Sequence, residues 1–184
     1  MSGTGGAVVS IGPVSRWTDA QVGEYRELTE AVYPPAESED WPGRKLDWSH
    51  AEMGVRVVDS SGWLVSYVGV LTRRGALDDA PVVIGGIGGV KTHPDARGLG
   101  YAALGMRRAE EWFREQDGVD FGLLVCEPSL IGYYNNLGWV EFEGSVLTTQ
   151  GNRRVEFTFN RVMTQPVQSE APVSGVIDLM GPPW

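Results

Sequence analysis

The feature that most constrains this chain is a change of hydrophobic period across residues 92–102. Val82–Thr92 reads as a strand, rich in β-branched residues and interrupted by Gly85, Gly86, Gly88 and Gly89. After it, Leu99, Ala102, Met106, Ala109 and Phe113 recur at intervals of three and four, which is one apolar face of a helix. The other face carries Arg107/Glu111 and Glu110/Arg114, pairs that meet on a helix surface. The connection is His93-Pro94-Asp95-Ala96-Arg97-Gly98-Leu99-Gly100. Glycines there allow a ligand close to the backbone, and the first N–H groups of the helix lack partners and carry the positive end of its dipole. Together these make an anion site suited to a pyrophosphate, with Arg97 able to set the turn or to meet a phosphate. Position 103 is Ala, so the third glycine of a dinucleotide fingerprint is missing, and no Gly-Lys-Ser/Thr marks a P-loop.

Around this unit the chain alternates helix and strand patterns. Met1–Gly6 reads as a flexible leader, extending to about residue 10. Thr18–Val32 has helical spacing with Thr18 or Asp19 as N-cap, and Pro34-Pro35 stops it. Ala36–Lys45 is polar and acidic, a loop, and Leu46–Met53 reads as a short helix. Val55–Val58 and Trp63–Leu71 are strands joined at Asp59-Ser60-Ser61-Gly62. Val119–Val125 is a buried strand, Ser129–Leu137 a helix ending at Gly138, and Val140–Leu147 with Arg154–Thr164 a final antiparallel pair. Residues 165–184 are a tail packed as extended chain. The expected fold is α/β: one domain over 11–164, with a mixed, mostly antiparallel sheet flanked by helices on both faces.

Composition excludes several classes. With 184 residues the chain can bury the core of one domain, and a net charge of -9 argues against nucleic acid as partner. The same charge suits a cationic substrate and, equally, plain acidic solubility. One cysteine, Cys126, rules out an internal disulfide, and Cys126 with only His50 and His93 leaves no zinc set, so no metal is expected. No apolar run reaches membrane-spanning length and Met1–Gly6 lacks the basic and apolar regions of a signal peptide, so the cytoplasm is the expected compartment. His93 reads as structural, His50 as a surface residue or cap, and Cys126 as an inert, half-buried thiol.

Two motifs together are specific. Val90-x-x-x-Pro94-x-x-Arg97-Gly98-x-Gly100-x-Ala102 resembles motif A of the GNAT superfamily of N-acetyltransferases, and Tyr133-Tyr134-Asn135-Asn136-Leu137-Gly138-Trp139 resembles its motif B. The resemblance covers roughly residues 16–164. It implies acetyl-CoA as co-substrate, its pyrophosphate held by backbone amides of Gly98, Leu99, Gly100, Tyr101 and Ala102 with Arg97 beside them. It also implies that Val90, Lys91 and Thr92 pair through their backbone with the pantetheine arm, and that Tyr134 acts as acid toward the leaving thiolate. Tyr133 points about 100° away on the same helix. Relatives of this fold commonly dimerise, but nothing in the sequence marks an interface.

The acceptor side departs from the superfamily pattern. An alkylamine, with a reference pKa near ~10.4, must lose a proton before it attacks. The superfamily often relays that proton through a Glu on the strand before motif A, yet residues 82–90 hold no carboxylate. Glu127, Asp47 and the carboxylate of Trp184 are the candidate bases, and the four strand glycines suggest a bulged strand that widens an acceptor cleft at Gly88 and Gly89. Asp47-Trp48-x-His50 and the terminal Gly181-Pro182-Pro183-Trp184 are similar to segments of aminoglycoside 2'-N-acetyltransferases. That likeness implies substrate-ammonium contacts at Asp47 and Trp184, with a small, cationic amine as acceptor. The alternatives are a protein or peptide amine, and a non-catalytic acyl-CoA-binding domain.

Overall fold

The structure is a computed structural model that describes residues 4–34 and 41–184; the predicted loop at 36–40 and the first leader residues lie outside them. Ten strands are described: β1 (Val8–Pro13), β2 (Met53–Val58), β3 (Leu64–Leu77), β4 (Ala80–Thr92), β5 (Phe121–Cys126), β6 (Val140–Glu141), β7 (Ser145–Gln150), β8 (Arg153–Glu156), β9 (Arg161–Pro166) and β10 (Val176–Asp178). The helices are α1 (Asp19–Val32), α2 (Tyr101–Glu115) and α3 (Ile131–Asn135). The strands join in one mixed sheet, ordered β6-β9-β5-β4-β3-β10-β7-β8, with β2 also on β3 and β1 on β2. β4–β5 and β10–β7 are parallel, whereas β1–β2, β2–β3, β5–β9 and β7–β8 are antiparallel. The chain packs as two compact units. The first holds the described residues of Met1–Pro42 with Ala51–Val70 and Gly89–Glu111; the second holds Gly43–His50, Leu71–Gly88 and Trp112–Trp184.

In the first unit, helices cover both faces of the β1–β2–β3 meander. Thr18 caps α1 in a full capping box: its hydroxyl accepts from Gln21 N, and the Gln21 side chain accepts from Thr18 N. Leu28 then packs with Leu64 and Tyr67 on one sheet face. On the other face α2 approaches closely at Gly105, where a Cβ would lie 2.9 Å from Val68 Cγ2. The strand at Val8 begins inside the stretch expected to be a leader, because Val8–Ser10 pair with Val58–Arg56 of β2.

The second unit holds a core of Leu71, Ile84, Phe121, Leu123, Phe142, Val146, Ile177, Leu179 and Trp184. Four expectations are corrected there. Leu46–Met53 is not helical: a single 3-10 turn at Pro42–Lys45 precedes an irregular run, with Leu46 and Trp48 packed on the core cluster. Helix Ser129–Leu137 is a 3-10 turn at Pro128–Leu130 followed by the short α3, ended by Gly138 at φ +89. Strand 154–164 is interrupted by Phe157–Asn160 and becomes β8 and β9. The tail holds β10, inserted between β3 and β7 and paired with Ala76 and Leu77 at the end of β3, which runs six residues past the expected Leu71.

Candidate functional site

In the first unit, the loop after β4 is fixed before the helix starts. His93 Nδ1 accepts from Asp95 N across the 3-10 turn Pro94–Ala96, and its ring meets Trp63 edge-on at 4.3 Å, which gives His93 its structural role. Arg97 turns back, Nε donating to Thr92 O at 3.4 Å, so in this structure it sets the turn. Gly98 and Gly100 then take φ of +75 and +88, left-handed values that favour glycine. A Cβ at Gly98 would meet nothing within 4 Å. α2 starts directly at Tyr101, with no acidic residue in its first turn. Its leading N–H groups have no carbonyl one turn back to bind, and they carry positive partial charge. Gly98, Leu99 and Gly100 are exposed, and Tyr101 and Ala102 partly so. These residues fit the pyrophosphate of a CoA thioester: open backbone, free donors, no competing anion.

The end of β4 belongs to the same unit. Lys91 O accepts from Ser66 Oγ at 2.7 Å and His93 N donates to Val65 O, so the main chain at 91 and 93 is turned toward β3. By strand alternation Val90 and Thr92 turn to the opposite edge. The β4–β5 ladder ends at Ile87↔Leu124, although β4 continues to Thr92. The main chain of Lys91 thus faces β3, and that of Val90 and Thr92 faces away from it. The Lys91 side chain is buried, with Nζ 2.6 Å from Tyr25 Oη and over the rings of Tyr25 and Tyr67 at 4.2 and 5.2 Å. The exposed Gly89 beside it has φ +60.

In the second unit, Tyr134 is buried on α3 and Tyr133 half exposed, in keeping with their separation around the helix. Tyr134 O accepts from both Leu137 N and Trp139 N, which locks the helix end. Glu127 is exposed where β5 ends, ahead of the Pro128 turn. Cys126 is buried, and desolvation, helped by the charges of Glu141 and Glu127, pushes its thiol up to about 11. That is the inert thiol expected from sequence.

The acceptor candidates fall into two kinds. Gly88 and Trp184 come together: a Cβ at Gly88 would lie 2.8 Å from the main-chain carbon of Trp184, and one at Gly86 2.4 Å from its indole. Gly85 is packed likewise by Phe113 at 2.7 Å. The glycines at 85, 86 and 88 thus admit aromatic residues of the chain itself and do not widen a cleft. Asp47 is used elsewhere: its Oδ2 accepts from Gly151 N at 2.6 Å, and its main chain exchanges two hydrogen bonds with the Gln150 side chain. It anchors the β7–β8 turn. His50 is exposed.

Sequence reasoning missed Arg73. Its guanidinium donates to Pro182 O and to Ser49 Oγ, both at 2.5 Å, and lies over the Trp184 ring at 5.1 Å. Ser49 adds N–H and Oγ bonds to Pro183 O and Pro182 O, and Trp184 Nε1 donates to Leu123 O at 3.0 Å. Nothing local marks Arg73, because the expected strand stopped at Leu71.

Strand, glycine loop and helix N-terminus in the first unit make an anion site of the kind that holds a pyrophosphate. The comparisons agree. Residues 13–142 match the acetyltransferase (GNAT) domain, and the chain belongs to that family. No protein of curated function matches the sequence. Among solved structures, the fold is similar to an Escherichia coli GNAT family N-acetyltransferase (YhbS) in complex with CoA, at 12% identity, covering 95% of this chain and 89% of that one with a TM-score of 0.59. It is similar to a GNAT family acetyltransferase from Brucella melitensis in complex with acetyl-CoA (15%, 92% and 94%, 0.56). An acyl-CoA N-acyltransferase from Pseudomonas aeruginosa gives 16%, 86% and 99%, and 0.59. At these identities the likeness speaks for the fold. Among the described residues no helix is long and apolar enough to cross a membrane, and no group of three or more His, Cys, Asp or Glu could hold a metal.

Proposed function

We propose that this chain transfers the acetyl group of acetyl-CoA to a primary amine, itself cationic in solution, of a small molecule. The observation that carries the reading is the pair of left-handed glycines, 98 and 100, opening directly into α2 within the family-matched segment. Bound acetyl-CoA supplies an activated acetyl thioester. The N–H groups of residues 98–102 hold its pyrophosphate, and the main chain of Val90 and Thr92 aligns the pantetheine arm. The Tyr134 hydroxyl donates its proton to the departing sulfur, and Glu127, exposed after β5, takes the proton that the amine must lose. Direct attack by nitrogen needs no enzyme nucleophile, in keeping with the buried, protonated Cys126.

Trp184, seated against Gly86 and Gly88, favours a small acceptor over a polypeptide. The likeness to aminoglycoside 2'-N-acetyltransferases makes amino sugars one class to try. Against a polycation stands Asp47, whose carboxylate already accepts from Gly151 N. The test is release of free thiol from acetyl-CoA across aminoglycosides, polyamines, amino acids and short peptides. Thiol release with a small amine supports the reading. Binding of acetyl-CoA with no turnover of any acceptor identifies a CoA-binding module instead.

A further inference from the structure

We propose that the Lys91 side chain is an anion subsite for the acceptor, so that the acceptor is an amino-acid-like zwitterion carrying a carboxylate near its amine. The proposal rests on the acetyl-transfer reading above for the identity of the ligand. Lysines are almost never fully buried without a counter-ion, yet Lys91 is 6% exposed. Its Nζ contacts are Tyr25 Oη and the faces of Tyr25 and Tyr67. Such contacts stabilise a cation but bring no negative charge. The neighbouring acid on α1, Glu24, is bound to Arg56 Nη2. Among the described residues no carboxylate is paired with Lys91.

Geometry gives this charge an approach. Nζ lies 3.9 Å from where a Cβ of Gly89 would sit, and Gly89 is exposed with no side chain to close the path. An ammonium holds three donor hydrogens, and Tyr25 Oη engages one. A carboxylate arriving over Gly89 finds the others, in surroundings dry enough to strengthen the attraction. The charge lies on β4 next to Val90 and Thr92, the residues assigned to pantetheine, which is where an acceptor must come to be acetylated.

The test uses CoA-loaded protein and matched pairs of probes, the free L-amino acids and β-alanine against their carboxamides, with binding read by calorimetry. At least one acid is expected to bind tenfold or more tighter than its amide in the wild type, and Lys91→Met is expected to erase that preference. Lys91→Gln, read the same way, decides the matter if Lys91→Met does not fold. No acid-over-amide preference in the wild type, or a preference that survives both variants, overturns the proposal. Thiol release with the same probes is measured in parallel. Lys91-dependent binding without any turnover would retain the subsite and sink the catalytic reading.

Discussion

Gly86 and Trp184 should behave as one unit, and a double-mutant cycle can show it. In Gly86→Ala the new Cβ would stand 2.4, 2.7 and 2.8 Å from Cε2, Nε1 and Cδ2 of the indole, well inside van der Waals contact. The ring cannot swing away freely. Its Nε1 is tied to Leu123 O, and Arg73 lies over its face. Overpacking of this kind costs about 1–3 kcal/mol. Trp184→Ala removes a 5%-exposed indole and leaves Leu123 O without its donor. That change should cost about 3–5 kcal/mol, or a fall in Tm of roughly 6–20 °C for a chain of this size. Once the indole is gone, Gly86→Ala is relieved of these three close approaches and gains the modest advantage of Ala over Gly in a strand. The coupling energy should therefore be about 2 kcal/mol, from denaturant unfolding of wild type, both single variants and the double variant. If Gly86→Ala costs the same in both backgrounds, within about 0.5 kcal/mol, the tail does not sit on β4 as described.

Three further outcomes follow from the site. Gly100→Val places a β-branched residue at φ +88, a strain of about 1–3 kcal/mol, and should weaken acetyl-CoA binding at least tenfold by calorimetry; normal affinity would refute the loop assignment. Tyr134→Phe should lower kcat about a hundredfold with acetyl-CoA affinity unchanged, and undiminished turnover would remove its role as acid. Cys126, raised from 9.0 to about 11, stays a neutral thiol when folded, so its contribution to stability is complete below pH 9 and fades as pH rises through 11. Iodoacetamide should accordingly alkylate it at pH 8 about a hundredfold more slowly than a free cysteine, and equal rates would mean the thiol is not buried.

What was legible in the sequence was local. Thr18 and Gln21 stand three residues apart and cap α1 together, and the spacing of Met106, Ala109 and Phe113 sets the buried side of α2. Two glycines around Leu99 suffice to announce a left-handed loop, because few other residues tolerate that backbone. Pairing between distant segments was not legible. Nothing in Thr72-Arg73-Arg74 says that β3 will run on to meet β10 at Ala76 and Leu77, nor that Arg73 will bind a carbonyl 109 residues away. Leu46 and Trp48 mimic a helix start, yet they are placed by packing on a core built from Phe157 and its neighbours.

The strand glycines show why the acceptor side was the harder half. A glycine within a strand marks a close approach, but the sequence does not say by what. At Gly85 the visitor is Phe113, and at Gly86 and Gly88 it is Trp184, all residues of the chain itself. Gly89 differs: it has left-handed φ, it is exposed, and the nearest side chains a Cβ would meet, Tyr67 and Lys91, stand at ordinary contact distance. Of the four, Gly89 alone keeps room for an outside molecule. The carboxylate-free strand is therefore not bare: at Gly88 the chain seats Trp184 against it, and one step on, at Gly89, the exposed backbone leads to Lys91.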